Sequence, residues 1–268
     1  MPGRLTPILV LGAGRMGGAL IAGWMRAGAF AAGEIMVRDP RPGEAATAAG
    51  RAGVRLNPPD ADLRSARTVV LAVKPQAWRE VVKGSRSLVA ADAAIISIMA
   101  GVEASAISEA LDGREVTRVM PTTAAGIGQG AASVFAPNSE ARARARALFQ
   151  PLGTVVDLHS EALLHAATAV SGSAPAYLYA FIEALGAAGV ASGLDAETAH
   201  GLAKSTITGA AALLAAGNQD PAELRRQVTS PGGTTQAALD VLMGPDGLGD
   251  LLRRAVAAAA ARSRELGG

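Results

Sequence analysis

The sequence predicts a doubly wound, mostly parallel α/β domain over residues 1–159, followed by an all-α domain over residues 160–268. Three observations carry this prediction. Short apolar runs alternate with helical segments through the first part, a glycine-rich turn follows the first run, and strand signals stop after about His159. Strands buried on both faces read as continuous apolar runs, the pattern of a parallel sheet covered by crossover helices.

The predicted strands are Ile8 to Leu11, Ile35 to Val37, Thr68 to Val73, Ala94 to Ile98, Val116 to Met120, Ala131 to Phe135 and Thr154 to Leu158. The last two are less regular, and one of them is expected to pair antiparallel at the sheet edge. Beyond His159, Tyr177, Leu178, Phe181, Ile182 and Leu185 recur at helical spacing in a long helix ending near Gly193. Asp195 is placed to cap the next helix, which stops around Gly217 and Asn218. Asp220-Pro-Ala-Glu223 then supplies a cap, a proline at the first helical position and an acid at the third. A helix from about Thr235 and a last one over Gly247 to Arg264 complete the chain.

With 268 residues, half of them hydrophobic, the chain has material for two domains with their own cores. It has no cysteine, which excludes disulfides, thiolate metal sites and thiol nucleophiles. The net charge of +2 is near balance. Arg142, Arg144 and Arg146 form the densest basic run, but without aromatic neighbours to stack bases they read as a solvated helix face, and no nucleic-acid partner is expected. The stretch from Met1 to Pro7 has no signal-like apolar segment, and charge or glycine breaks every long apolar run. A cytoplasmic protein with no membrane partner is expected. Abundant alanine and glycine suit helices packed closely at an interface.

Gly12-Ala-Gly-Arg-Met-Gly17 follows an apolar strand and opens a helix, the context of a dinucleotide-binding turn. Gly12 allows the tight turn, Gly14 lets a pyrophosphate approach the backbone and Gly17 lets the helix pack on the sheet, with Arg15 and Met16 at the helix start. The second strand ends in Arg38 and Asp39, followed by Pro40 and Arg41. An acid there accepts the ribose hydroxyls of NAD, whereas arginines pair with the extra phosphate of NADP. Two arginines flank one acid, which favours NADP(H), with NAD(H) the alternative; Asp39 is also suited to cap a turn. Ala72-Val-Lys-Pro75 ends another buried strand, so Lys74 is either a ribose or phosphate ligand or an ordinary surface lysine. Met120 to Gly130 forms a third loop at the same rim.

Near the other end, Val228-Thr-Ser-Pro-Gly-Gly-Thr-Thr-Gln236 runs into an apolar helix. Pro231 fixes its own φ, Gly232 and Gly233 are free to turn N–H groups to one point, and the helix start adds unpaired donors and its dipole. Such a loop suits a small carboxylate or phosphate. His159, His165 and His200 lack metal-ligand spacing, and no metal is expected. No acid or base stands out for hydroxyl oxidation, which favours reduction of an already cationic C=N bond.

From Ile8 to about Leu266 the chain resembles the pyrroline-5-carboxylate reductase family. The resemblance rests on the glycine turn, Ala72-Val-Lys-Pro75, Ser97-Ile-Met-Ala-Gly-Val102, Ser171-Gly-Ser-Ala-Pro-Ala-Tyr177 and Ser230-Pro-Gly-Gly-Thr-Thr235. It implies a Rossmann domain for NADPH or NADH and a helical domain that interleaves with a second copy as a homodimer, often within a larger ring. It also implies hydride transfer to pyrroline-5-carboxylate, giving proline, the last step of proline biosynthesis. The carboxylate is then held by main-chain N–H groups over Ser230, Gly232, Gly233 and Thr234. The Thr235 hydroxyl bonds the ring nitrogen, and Ala72, Lys74, Pro75 and Ala100 line the cofactor, Lys74 and Ala100 at its nicotinamide end. Arg15, Thr122 and Ala124 depart from the family's usual residues. A broader cyclic imine reductase, a two-domain hydroxyacid dehydrogenase and a non-catalytic NAD(P)-binding sensor are the alternatives; the dehydrogenase is disfavoured because Ser171 to Ile182 holds no lysine.

Overall fold

The computed structural model describes residues 5–266; the first four residues of the N-terminal stretch discussed above lie outside them. The chain divides into two compact units, one running to Gly172 and taking back the residues from Ala259, the other Ser173–Ala258. The sequence boundary at 159/160 marks where strands give way to helices, and the first unit keeps the turns that follow.

The first unit is built on eight strands: β1 (Ile8–Leu11), β2 (Ile35–Arg38), β3 (Arg55–Leu56), β4 (Thr68–Leu71), β5 (Ala94–Ser97), β6 (Val116–Pro121), β7 (Gly130–Phe135) and β8 (Gly153–Asp157). They lie in the order β3-β2-β1-β4-β5-β6-β7-β8. Pairing is parallel from β3 through β6, antiparallel between β6 and β7, and parallel again to β8. The two-residue β3 has no apolar run to announce it. The reversal falls one strand inside the edge. Only Thr122 to Gln129 link β6 to β7, too few for the crossover a parallel neighbour requires, whereas the helix Ser139–Phe149 carries the chain from β7 to a parallel β8.

Alternation along the strands divides the core. Ile8, Val10, Ile35, Val37, Val70, Ile96 and Val119 face one layer, closed by Leu20, Ile21 and Trp24 of the helix Arg15–Ala27. The Trp24 indole N–H donates to the Leu148 carbonyl at 2.8 Å, so even this buried ring is satisfied. Leu9, Leu11, Met36, Val69, Leu71, Ile95 and Val116 face the other layer, with Trp78, Val82, Ile107 and Leu111. After β1 the chain builds outward to β2 and β3, then returns to β4 on the other side of β1. Open α/β sheets hold ligands in the crevice at such a reversal, here the C-terminal ends of β1 and β4. The basic run predicted as a solvated face is partly committed: Arg144 pairs with Glu140, and Arg146 with Asp157.

In the second unit the helices Ala174–Ala191 and Ala196–Ala216 form a hairpin. Small residues make its seam, with Gly189 against Ala199, Gly186 against the His200 ring, and Ala199 and Ala203 buried. Asp195 caps Thr198 N–H at 2.9 Å and Asp220 caps Ala222 N–H at 2.7 Å, as their positions predicted. Most large apolar side chains remain exposed, Tyr179 at 62%, Leu213 at 70% and Val241 at 76%. The continuous helical stretch Leu163–Ala191 has the length and hydropathy of a membrane span, although Glu183 and several glycines interrupt it.

His165 Nδ1 lies 3.0 Å from Ser263 Oγ of the C-terminal helix. Burial, followed by the nearby Arg118 and Arg264 charges, lowers the imidazole pKa. A histidine lowered in the folded state contributes stability above its unfolded pKa and loses it as pH falls through the folded value. The melting temperature should therefore decline on acidification below about pH 6.5, with a shallower decline in His165→Gln; parallel melting curves for the two proteins would contradict this.

Candidate active site

The glycine turn separates its three tasks by geometry. Gly12 has φ +95°, and a Cβ there would lie 2.7 Å from the Ala72 carbonyl oxygen. A Cβ on Gly17 would overlap the Gly12 carbonyl, so this glycine lets the helix sit on the strand end. A Cβ on Gly14 would meet nothing within 4 Å. That open side leaves the backbone approachable. Gly14 caps the helix without a side chain, leaving the first N–H groups at Arg15 and Met16 as donors to an anion. Arg15 is exposed, and Met16 packs partly against the core.

At the end of β2, Asp39 accepts the Ala13 N–H at 2.6 Å through Oδ2 and the Arg41 N–H at 2.7 Å through Oδ1. It thereby ties the glycine turn to the loop beyond β2. Arg38 pairs with Asp60 at 2.7 Å and donates to Pro58 O at 3.1 Å. The exposed Arg41 guanidinium makes no hydrogen bond among the described residues. Asn57, with φ +46°, exchanges hydrogen bonds with the Asp39 backbone through both its amide atoms. Sequence reasoning missed it; its signal was an asparagine just before two prolines, a residue tolerant of the left-handed region.

Along the rim, Ala72 N–H donates to Leu11 O and Ile98 N–H to Leu71 O, extending the ladder past the strand ends. Lys74 is exposed at the start of the turn Pro75–Ala77. Ala100 precedes the buried Gly101, whose φ is +79°. Thr122 is buried, and its hydroxyl accepts the Ala131 N–H at 3.0 Å while its own N–H donates to Ala131 O. Arg26 holds the Ile127 carbonyl of the same loop. Gly172, in the π-helical turn Thr168–Gly172, approaches Met120 at the end of β6.

The second unit carries the remaining predicted residues. Gly232 has φ +68°, Gly233 N–H closes a turn on Ser230 O at 3.0 Å, and the helix Thr234–Leu242 begins at once. Gly233 offers no capping side chain, so the N–H groups of Thr234, Thr235 and Gln236 have no intrahelical acceptor. Thr235 is half-buried, and its hydroxyl makes no hydrogen bond among the described residues. A cavity of about 430 Å³ beside the loop is lined by Arg225, Arg226, Thr229, Gln236, Leu239, Asp240 and Met243. Arg226 is paired with Glu223, while Arg225 adds a cation that sequence reasoning did not single out.

Residues 161–266 match the family described as pyrroline-5-carboxylate reductase dimerisation, and residues 7–101 match that described as NADP oxidoreductase, coenzyme F420-dependent. The chain is 38% identical to a pyrroline-5-carboxylate reductase of Pseudomonas aeruginosa, covering 97% of each chain, and 35% identical to one of Methanosarcina acetivorans, covering 96% of each. The chain belongs to the pyrroline-5-carboxylate reductase family. A reductase structure from Coxiella burnetii superposes with TM-score 0.88 at 30% identity, covering 99% of this chain and 100% of that one. One from Plasmodium falciparum, solved with NADP bound, superposes with TM-score 0.82 at 26% identity over the whole of both chains.

As a member of the family the chain is an oxidoreductase with a Rossmann NADP-binding domain and a dimerisation segment. The exposed apolar surface of the helical hairpin has its physical reason there. Gly14→Ala should fold with a near-native melting temperature yet bind NADPH at least about tenfold more weakly, because its methyl group enters the open approach to the backbone. Gly17→Ala should instead lose roughly 1–3 kcal/mol of stability by overpacking. Thermal melts and fluorescence titrations separate the two; equal losses of stability would contradict the assignment.

Proposed function

We propose that the protein reduces L-1-pyrroline-5-carboxylate to L-proline, with NADPH as the preferred donor and NADH as the alternative. The helix start at Gly233 and Thr234 carries this reading: in a member of this family, three uncommitted N–H groups and an uncommitted Thr235 hydroxyl stand where a small carboxylate with a neighbouring nitrogen needs them. The dinucleotide supplies hydride when bound. Gly14, with the donors at Arg15 and Met16, receives its pyrophosphate, while Gly12 and Gly17 shape the turn and seat the helix. Ala72, Lys74, Pro75 and Ala100 line the rim toward its nicotinamide end.

The protein's work is positional. The Ser230 to Thr234 loop fixes the carboxylate, which orients the imine carbon for hydride, and the Thr235 hydroxyl holds the ring nitrogen. Because the protonated imine is already cationic, hydride addition neutralises it without a strong general acid. Preference for NADPH rests on the rim beyond β2: Asp39 is committed to two N–H groups, while the Arg41 guanidinium is uncommitted and suited to a phosphate. Arg38, held by Asp60, adds positive charge nearby. The assembly is a homodimer or a ring of dimers whose helical hairpins cover one another, in the cytoplasm, with no membrane or nucleic-acid partner.

Absorbance assays with NADPH and NADH, using pyrroline-5-carboxylate and unsubstituted 1-pyrroline, test the reading. Fast oxidation with the acid and little with the plain ring is expected. Equal rates with both rings would favour a broader imine reductase, and no oxidation would leave a cofactor-binding sensor. Thr235→Val should reduce kcat about tenfold or more while NADPH affinity stays within about twofold; full activity would remove Thr235 from the mechanism. Arg41→Ala should raise the KM for NADPH about tenfold, in line with loss of a charge-assisted contact, and leave that for NADH unchanged.

A further inference from the structure

Arg118 sits in the middle of β6 with 2% of its surface exposed. Its Nη1 donates to Glu161 Oε1 at 2.9 Å and its Nη2 to the Met99 carbonyl at 3.0 Å, while Nε is buried without a partner. The same Glu161 oxygen accepts the Ala104 N–H at 2.8 Å. Met99 and Ala104 bracket the loop that leaves β5 and contains Ala100 and the left-handed Gly101. One ion pair thus grips both ends of this loop, the carbonyl through Arg118 and the amide through Glu161.

Stability alone is a poor reason for such an arrangement. A guanidinium taken out of water loses several kcal/mol of solvation, and an apolar pair of similar volume serves a core as well or better. An unpartnered buried Nε adds to that cost. What the pair supplies is direction, since an arginine fork fixes two acceptors in one plane. The loop it fixes lies next along the rim from β4, on the side away from β2. A dinucleotide laid across the switch point, with its adenosine toward β2, extends its nicotinamide to this side.

We propose that Arg118 and Glu161 are positioning residues for hydride transfer, setting the Ala100–Glu103 loop against the nicotinamide ring. This rests on the reductase reading above. The test uses the full-length protein in its native assembly. Arg118→Lys, which keeps the charge but lacks the planar fork that fixes two acceptors, and Glu161→Ala are compared with Glu161→Gln, which keeps an oxygen able to accept from both donors. For each variant, kcat, the isotope effect with NADPH deuterated at the transferred position, and affinities for NADP⁺ and 2′-phospho-ADP-ribose are measured.

Arg118→Lys and Glu161→Ala are expected to lose about tenfold or more in kcat, the scale of a small misplacement of reacting groups. Their isotope effect should rise as hydride transfer becomes limiting. Affinity for the fragment, which lacks nicotinamide, should stay unchanged while that for NADP⁺ weakens, and Glu161→Gln should keep near-native values. Lower melting temperatures with native kcat, isotope effect and NADP⁺ affinity per folded protein would overturn the proposal. If Arg118→Lys does not fold, the contrast between the two variants of Glu161, 27% exposed, carries the same test. The affinity comparison reads nicotinamide placement without turnover, so a wild-type protein inactive on the imine would count against the reductase reading alone.

Discussion

The contact between Gly17 and the Gly12 carbonyl governs the first unit. With no side chain on either residue, the helix Arg15–Ala27 starts directly over the end of β1, beside the reversal toward β4. A larger residue would lift the helix and carry its first N–H groups away from the crevice. The rest of the rim is arranged around that start: Asp39 ties it to the end of β2, and the ladder from Leu11 through Ala72 and from Leu71 through Ile98 carries the backbone level across β4 and β5. The turn itself is made of backbone groups, and the ionisable side chains stand around its edge.

Much of this was legible because the chemistry is local. A glycine's freedom, a proline's fixed φ and an aspartate's capping reach act within a few residues, so the glycine turn and the caps at Asp195 and Asp220 stand out in the sequence. The strands were equally clear where burial on both faces gives a continuous apolar run. The direction of β7 was harder to read because it follows from loop length and not from composition. The two residues of β3 are too few to show any period.

What stayed hidden depends on contacts across the chain. Asp39 and Arg38 read as cofactor ligands from their place at the end of β2, yet the partners that commit them, Ala13, Arg41 and Asp60, are set by tertiary structure. Arg118 left a visible trace, a lone charge within an apolar strand. Its meaning required knowing that Met99, Ala104 and Glu161 converge on it. The Thr122 departure likewise becomes intelligible only in the fold, where the hydroxyl braces the loop against β7.

The helical hairpin buries a narrow seam of glycine and alanine and leaves its larger apolar side chains outside. In the proposed homo-oligomer this places part of each chain's core in its neighbour, so no copy is judged by its own sequence alone. A substitution on this surface would then bear on two chains at once, the one that carries it and the copy that packs against it.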